Sequence, residues 1–253
     1  MKINSPNQAQ IPALWTLWRE TFQDPQEFIH DFAETAFHKD RCRIVTRNNE
    51  VAAALYWFDC LYQDKRIAYL YAVATAKKYR GQGICHRLME DTHAHLIKLG
   101  YEGAILVPGS KELFGFYKRM GYATCSYIRE FTCDAKAEEI KIRSVNLEEY
   151  GRLRRQYLPE GGVIQEKENL DFLKTQAKLY VGEDFLLVAR EEEGTLFGLE
   201  LLGDTLAASG ILYTLGYPKG TFRVPGEEIP FAMYRPLGNS KQTSPTYFGL
   251  AFD

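Results

Sequence analysis

The chain has 253 residues, 45% hydrophobic and 25% charged, the profile of one large or two small folded domains that bury a core without disulfides or metals. Thirty-one Lys and Arg against 33 Asp and Glu give a net charge of −2, and that balance argues against broad nucleic-acid binding, which needs a clustered basic surface. No stretch approaches the roughly 18 uninterrupted apolar residues of a membrane span, and Met1-Lys2-Ile3-Asn4-Ser5-Pro6 has no apolar signal core, so membrane, secreted and collagenous readings fall away.

The first half reads as alternating helices and strands. Leu14, Leu17, Trp18 and Phe22 predict a helix over Pro12–Phe22, and a second helix follows Asp24-Pro25 with Phe28, Phe32 and Ala36 on one face. Strands are expected at Arg43–Thr46 and Val51–Phe58 around an Asn48-Asn49 turn, then a connection over Asp59–Lys65 and a strand at Ile67–Thr75. Ile84, Leu88, Thr92, Leu96 and Leu99 mark a helix closed by Gly100. A short strand at Ala104–Val107, a helix at Glu112–Met120 closed by Gly121, and one or two strands over Tyr122–Cys133 complete this half.

All five Cys, all five His and all three Trp lie before residue 134. A polar bridge, Asp134–Glu139, then precedes an alternating strand at Ile140–Val145, which places the domain boundary near 136 and gives domains of 1–136 and 137–253. The second half continues with helices at Leu147–Tyr157 and Glu168–Tyr180 and strands at Phe185–Arg190 and Leu196–Leu202. Glu191–Gly194 reads as a solvated hairpin turn, and Lys219-Gly220 and Pro225-Gly226 as turns. One helix over Thr205–Leu215 and short strands at Thr221–Val224, Phe231–Tyr234 and Tyr247–Phe252 follow. The halves share an architecture without a sequence repeat.

Cys42, Cys60, Cys85, Cys125 and Cys133 are odd in number and lack metal-finger or thioredoxin spacing, so reduced thiols in the cytoplasm are expected. His93 and His95, two apart on a helix, point to different faces, and no metal is expected.

The chemistry concentrates in Val73-Ala74-Thr75-Ala76-Lys77-Lys78-Tyr79-Arg80-Gly81-Gln82-Gly83-Ile84-Cys85. A strand ends, a loop carries two glycines among cations, and a helix begins at Ile84, where unpaired N–H groups and the positive dipole end favour an anion. Gly81 and Gly83 allow positive φ and close approach of the backbone, the makings of a pyrophosphate cradle. A Walker loop is absent, since no Gly-Lys-Ser/Thr follows, and the dinucleotide fingerprint lacks its third glycine, with His86 in its place.

Arg80-Gly81-Gln82-Gly83-Ile84-Cys85 resembles the Arg/Gln-x-x-Gly-x-Gly/Ala signature of the GNAT superfamily of N-acetyltransferases, with Cys85 where the family prefers Gly or Ala. Ser110-x-x-Leu113-x-x-x-Tyr117-x-x-x-Gly121-Tyr122 is similar to the family's later Asn-x-x-Ala-x-x-x-Tyr-x-x-x-Gly-Phe motif. Here Ser110 replaces Asn and Leu113 a small residue. The resemblance covers roughly residues 1–133 and implies an α/β (α+β) fold, a GNAT-like mixed central sheet flanked by helices, with the second half a degenerate copy as in tandem members.

It further implies acetyl-CoA as co-substrate and an amine as acceptor; the near-neutral charge points to a small-molecule amine, with neither nucleic acid nor membrane as partner, and a monomer or homodimer is the expected assembly. The pyrophosphate would sit on Arg80, Gly81, Gln82, Gly83, Ile84 and Cys85; Val73, Ala74 and Thr75 would offer the strand end to pantetheine and thioester, and Ser110 a hydroxyl to the pantetheine arm. Tyr117 stands where the family places its general acid, and a phenol protonated at neutral pH can hand a proton to a leaving thiolate. The strand before the loop has no carboxylate to act as base, which leaves water, Glu20, Asp31, Glu34 or the second half. Resemblance to multidomain aminoglycoside-acetylating relatives adds the terminal carboxylate of Asp253. Phe114-Gly115-Phe116 and Tyr69/Tyr71 are acceptor-pocket candidates, with core packing the simpler role. The competing readings are a non-catalytic acyl-CoA sensor and a transferase of longer acyl chains.

Overall fold

The computed structural model describes residues 1–240 and 242–252 and divides into two compact units, Met1–Ala123 with Met233–Ser244, and Thr124–Ala232 with Pro245–Asp253. The expected boundary at 136 therefore differs from the observed one in kind as well as position, because a late segment returns to the first unit. Alternation marks Phe231–Tyr234 as a strand but says nothing about its partner, and the partner lies far back in the chain.

In the first unit β1 (Lys2–Asn4) is followed by α1 (Ile11–Phe22), α2 (Gln26–Thr35), β2 (Cys42–Arg47), β3 (Glu50–Tyr62), β4 (Lys65–Thr75), α3 (Ile84–Lys98), β5 (Gly103–Leu106) and α4 (Lys111–Lys118). The strands β1 to β4 pair antiparallel in sequence order, and β5 joins β4 in parallel. Met233–Pro236 then pairs antiparallel with β5. Asn48 and Asn49, at φ 51° and 63°, make the expected tight turn. The connection expected over Asp59–Lys65 is a longer hairpin instead: β3 runs to Tyr62, and only Gln63 and Asp64, at φ 50° and 57°, turn. Cross-strand pairing out to Tyr62 and Lys65 keeps these polar residues in the ladder.

The sheet separates two cores. On one face α3 and α4 bury Ile84, Leu88, Leu96 and Tyr117 against Leu55, Trp57 and Leu70. On the other, Trp15 and Trp18 of α1, Phe32 of α2, Tyr56 and Phe58 of β3, and Tyr69 and Tyr71 of β4 form an aromatic cluster with centroids about 5–6 Å apart. The period-2 alternation of β3 sorts its residues between them.

The second unit contains β6 (Ala123–Asp134) from Thr124 on, β7 (Ile142–Ser144), α5 (Leu147–Tyr157), β8 (Ile164–Gln165), α6 (Glu168–Gln176), β9 (Lys178–Gly182), β10 (Phe185–Glu192), β11 (Thr195–Gly203), α7 (Ala208–Leu215), β12 (Lys219–Pro225) and the first part of β13 (Ile229–Pro236). Its sheet runs β6-β12-β11-β10-β9-β7, with β11 and β12 parallel. Glu193 and Gly194, at φ 50° and 77°, form the expected turn between β10 and β11.

Four elements differ from expectation. The helix over Glu168–Tyr180 stops at Gln176, because Leu179–Val181 pair with β10 and that ladder outweighs local propensity. Lys219-Gly220 is strand, not turn: Gly220 lies between Leu196 and Cys133, and a Cβ there would stand 2.6 Å from the Leu196 carbonyl oxygen. Tyr247–Phe252 forms no ladder beyond one isolated bridge, in which Val163 N–H donates to Tyr247 O at 2.9 Å; side chains meet the next groups, with Phe248 N–H donating to Ser126 Oγ at 2.9 Å and Gln165 Nε2 donating to Leu250 O at 2.8 Å. Thr205–Ala207 is a 3-10 turn leading into α7 rather than part of one helix.

Candidate active site

Two irregularities in β4 create the site. Ala54 faces Ala74 while Tyr56 faces Tyr71, so β4 carries one extra residue between them. Ala72 sits there at φ 47°, a left-handed conformation that a non-glycine residue adopts at a cost. The extra residue reverses the side-chain phase, so Tyr69 and Tyr71 face the aromatic cluster while Val73 packs against the core of Leu70. Beyond Tyr69, whose partner is Ile105, β4 and β5 part, and the β5-facing edge of β4 is left without a ladder.

The ladder with β3 decides which amides face that open edge. Ala76 N–H donates to Ala52 O at 2.9 Å, and alternation gives Ala74 the same phase toward Ala54. The N–H and C=O of Thr75 consequently face the open side, where Arg80 Nε donates to Thr75 O at 2.9 Å. Ala74, expected to offer its amide there, keeps it in the sheet.

The loop then climbs through a 3-10 turn at Lys77–Tyr79 to Gly81 and Gly83, at φ 73° and 71°. A Cβ at either would meet nothing within 4 Å, so both glycines are present for their backbone conformation and border open space. Gly83 is the N-cap of α3 with no side-chain cap, and the first-turn amides, including those of Ile84 and Cys85, lack a capping partner. The Ile84 side chain is buried, which leaves its backbone as the group it can present.

The flanking cations divide. Arg80 is exposed but folded onto its own loop, and Lys78 is ion-paired with Glu50. The Tyr79 hydroxyl also donates to Glu50, at 3.1 Å, with the ring packed into the α3/α4 core. Arg47, which the motifs gave no reason to single out, reaches the loop from the end of β2: its guanidinium donates to Gln82 Oε1 and lies 5.6 Å over the Tyr79 ring. Nothing local signals it, since Arg47 and Gln82 meet only through the fold.

Tyr117 occupies the last turn of α4, buried, with its ring against Phe116 and Tyr122 at 5.2 and 5.9 Å. Burial, and secondarily the Cys85 thiol, push its phenol well above the ordinary tyrosine range, so it stays protonated at neutral pH. Tyr117 lies in the same core that Cys85, in the first turn of α3, packs against. Burial likewise pushes the Cys85 thiol up to about 11, with Thr75 hydrogen-bonded to it and opposing the shift. Ser110, the N-cap of α4, is exposed, and its hydroxyl bonds Glu112, holding that carboxyl below its usual range. Leu113 is exposed rather than inserted into the core. The hydrogen bond to Glu50 raises the Lys78 ammonium, with Glu20 the smallest contributor; Asp253 lies outside the described residues. Among the described residues no group of three His, Cys, Asp or Glu could hold a metal, and no helix is long and apolar enough to cross a membrane.

The acetyltransferase (GNAT) domain family matches residues 2–125, the stretch containing the bulged strand, the loop and Tyr117. Residues 2–125 are a GNAT acetyltransferase domain. Likeness of fold to known structures extends over most of the chain. A GCN5-related N-acetyltransferase from Kribbella flavida superposes with a TM-score of 0.69 at 16% identity, over 93% of this chain and 70% of its own. Eis1 from Mycobacterium abscessus gives 0.70 at 11% identity over 93% and 74%. A putative acetyltransferase from Pyrococcus horikoshii gives 0.61 at 15% identity over 98% and 93%. At these identities the likeness is one of fold. No curated protein matches the chain in sequence.

The second unit repeats the three-residue parallel pair and the bulge of the GNAT domain, with different side chains around them. Val188 faces Glu200 while Ala189 faces Gly198, an extra residue at Leu199 of β11. Glu200, next to that bulge, is held in a buried network: Arg154 donates to both of its oxygens at 2.8 Å, and the Tyr150 and Tyr247 hydroxyls donate to them at 3.3 and 3.0 Å. Asp204 accepts from Leu206 N–H at 2.9 Å, placing a carboxylate at the turn before α7.

Proposed function

We propose that this chain is an acetyl-CoA-dependent N-acetyltransferase acting by direct attack on a small molecule with a primary amine. Its working site is the first unit. The observation that carries the reading is the parting of β4 from β5 beside an uncapped helix start: open strand donors lie next to a turn where Gly81 and Gly83 border empty space. A pantetheine arm fits the first and a pyrophosphate the second. The amides of Gly81 to Cys85 and the charges of Arg80 and Arg47 hold the phosphates, while Thr75 exchanges its bond with Arg80 for one to pantetheine. The proposed setting is the cytoplasm, as a monomer or homodimer, without nucleic-acid or membrane partners.

In this reading the neutral amine attacks the thioester carbonyl carbon, and the Val73 and Thr75 end of β4 supplies donors to the oxyanion. Such a donor contributes roughly 3–4 kcal/mol in other enzymes. Collapse breaks the C–S bond, and sulfur takes the electron pair and the Tyr117 proton. The surplus amine proton leaves to solvent, and the phenolate regains a proton from water, so amide and CoA thiol are the products. The carboxylate of Asp204, standing at the second unit's turn where a pyrophosphate would need donors, supports a single acetyl-CoA per chain.

The test is thiol release from acetyl-CoA against a panel of primary amines, for the wild type and Tyr117→Phe. Amine-dependent release that falls at least tenfold in kcat in the variant, with acetyl-CoA affinity retained, is expected. Tight acetyl-CoA binding without release for any amine contradicts the enzyme reading in favour of a sensor.

A further inference from the structure

Behind Tyr117 lies a buried polar chain that the proposed chemistry does not use. His93 of α3 is 3% exposed, and its Nε2 is 2.6 Å from the Tyr122 hydroxyl. Its Nδ1 is 3.0 Å from Arg235 Nη1. A guanidinium only donates, so Nδ1 accepts and the neutral ring carries its hydrogen on Nε2, donating to Tyr122. The tautomer is thus set by Arg235.

The same Nη1 of Arg235 donates to Met120 O at 2.7 Å, at the C-terminal end of α4. Its side chain also covers Gly121, whose φ of 82° ends the helix: a Cβ there would meet Arg235 Nε at 3.5 Å. The turn returns onto Tyr117 itself, since Met120 and Tyr122 N–H both donate to Tyr117 O, at 2.9 and 3.2 Å. The Tyr122 ring meets that of Tyr117 edge to face at 68°. Arg235 therefore grips the turn carrying Tyr117 from one side and, through His93, fixes the ring that walls it on the other.

We infer that Arg235, delivered by the returning strand, is a positioning residue for Tyr117, acting through the Met120 carbonyl and the His93–Tyr122 pair. The inference rests on the reading of Tyr117 as general acid. A lysine at 235 keeps the charge but sits on a shorter, flexible stem without the rigid planar group that aims one Nη1 at both acceptors. A glutamine at 93 keeps an N–H near Nε2, while its acceptor, Oε1, lies on the same terminal amide and not at the Nδ1 position that Arg235 uses.

The experiment is a double-mutant cycle with Arg235→Lys and Tyr117→Phe, repeated with His93→Gln, with kcat and KM read by thiol release and folding checked by calorimetric acetyl-CoA titration. Arg235→Lys is expected to lower kcat about tenfold with the acetyl-CoA KM within about twofold, and to cost nothing further in the Tyr117→Phe background. His93→Gln should follow the same pattern. A loss that adds in full to that of Tyr117→Phe, or no loss from either substitution, overturns the positioning role and leaves the proposed function standing. Wild-type protein inert toward every amine overturns both.

Discussion

Cutting the chain at the boundary its composition suggests should destroy the first unit. A fragment of residues 1–136 keeps the helices, the loop and Tyr117 but loses Met233–Ser244. In the intact protein Met233, Tyr234 and Leu237 are only 2%, 2% and 3% exposed. At ~1.5–3 kcal/mol for each fully buried large side chain, their removal costs about 5–9 kcal/mol. The fragment also loses the Arg235 bond to Met120 and the pairing that covers the edge of β5. Single domains are stable by roughly 5–15 kcal/mol, so the deletion consumes most or all of that margin. Circular dichroism with urea denaturation is the assay, beside calorimetric titration with acetyl-CoA. The expected fragment has no cooperative transition and no measurable acetyl-CoA binding. A cooperatively folding fragment that binds as the full chain does would refute the reasoning.

Three further perturbations separate the parts. Gly83→Ala forces an L-residue to φ 71° in open space, so strain alone costs about 1–2 kcal/mol, and acetyl-CoA should bind about tenfold more weakly by calorimetry. Glu200→Gln strands the buried Arg154 charge, and urea midpoints should report a loss of about 3–5 kcal/mol. Burial, then Arg235, then His86 lower His93 from 6.5 to about 3. The unfolded chain takes up this proton below pH 6.5 and the folded chain does not, so His93 makes stability fall with acidification between those values, by up to about 1.4 kcal/mol per pH unit. Denaturation series at pH 7, 5.5 and 4.5 should show a shallower acid-side decline in His93→Gln than in the wild type.

The legible parts of the sequence were those where a local pattern and a local structure coincide. Gly81 and Gly83 announce a positive-φ turn, and the stripe from Ile84 to Leu96 announces the helix behind it. The illegible parts depend on distant partners. Ala72 gives no hint of a bulge, because Tyr71-Ala72-Val73 reads as uninterrupted strand and only the count against β3 reveals the extra residue. Arg47 and Arg235 are ordinary cations until the sheet brings one to Gln82 and the other to His93. Lys178–Gly182 and Tyr247–Phe252 show the same limit from both directions: a ladder overrode a helical pattern in one, and side-chain acceptors and donors replaced a ladder in the other.

The central claim is that the turn at Gly81–Cys85 binds the pyrophosphate of acetyl-CoA. Titrating acetyl-CoA into 15N-labelled full-length protein tests it amide by amide. Saturation is expected at one equivalent, with the largest shifts at Gly81, Gly83, Ile84, Cys85 and Thr75 and little change at Gly203–Ala207. Unmoved amides in that turn, or the largest shifts before α7, would contradict it.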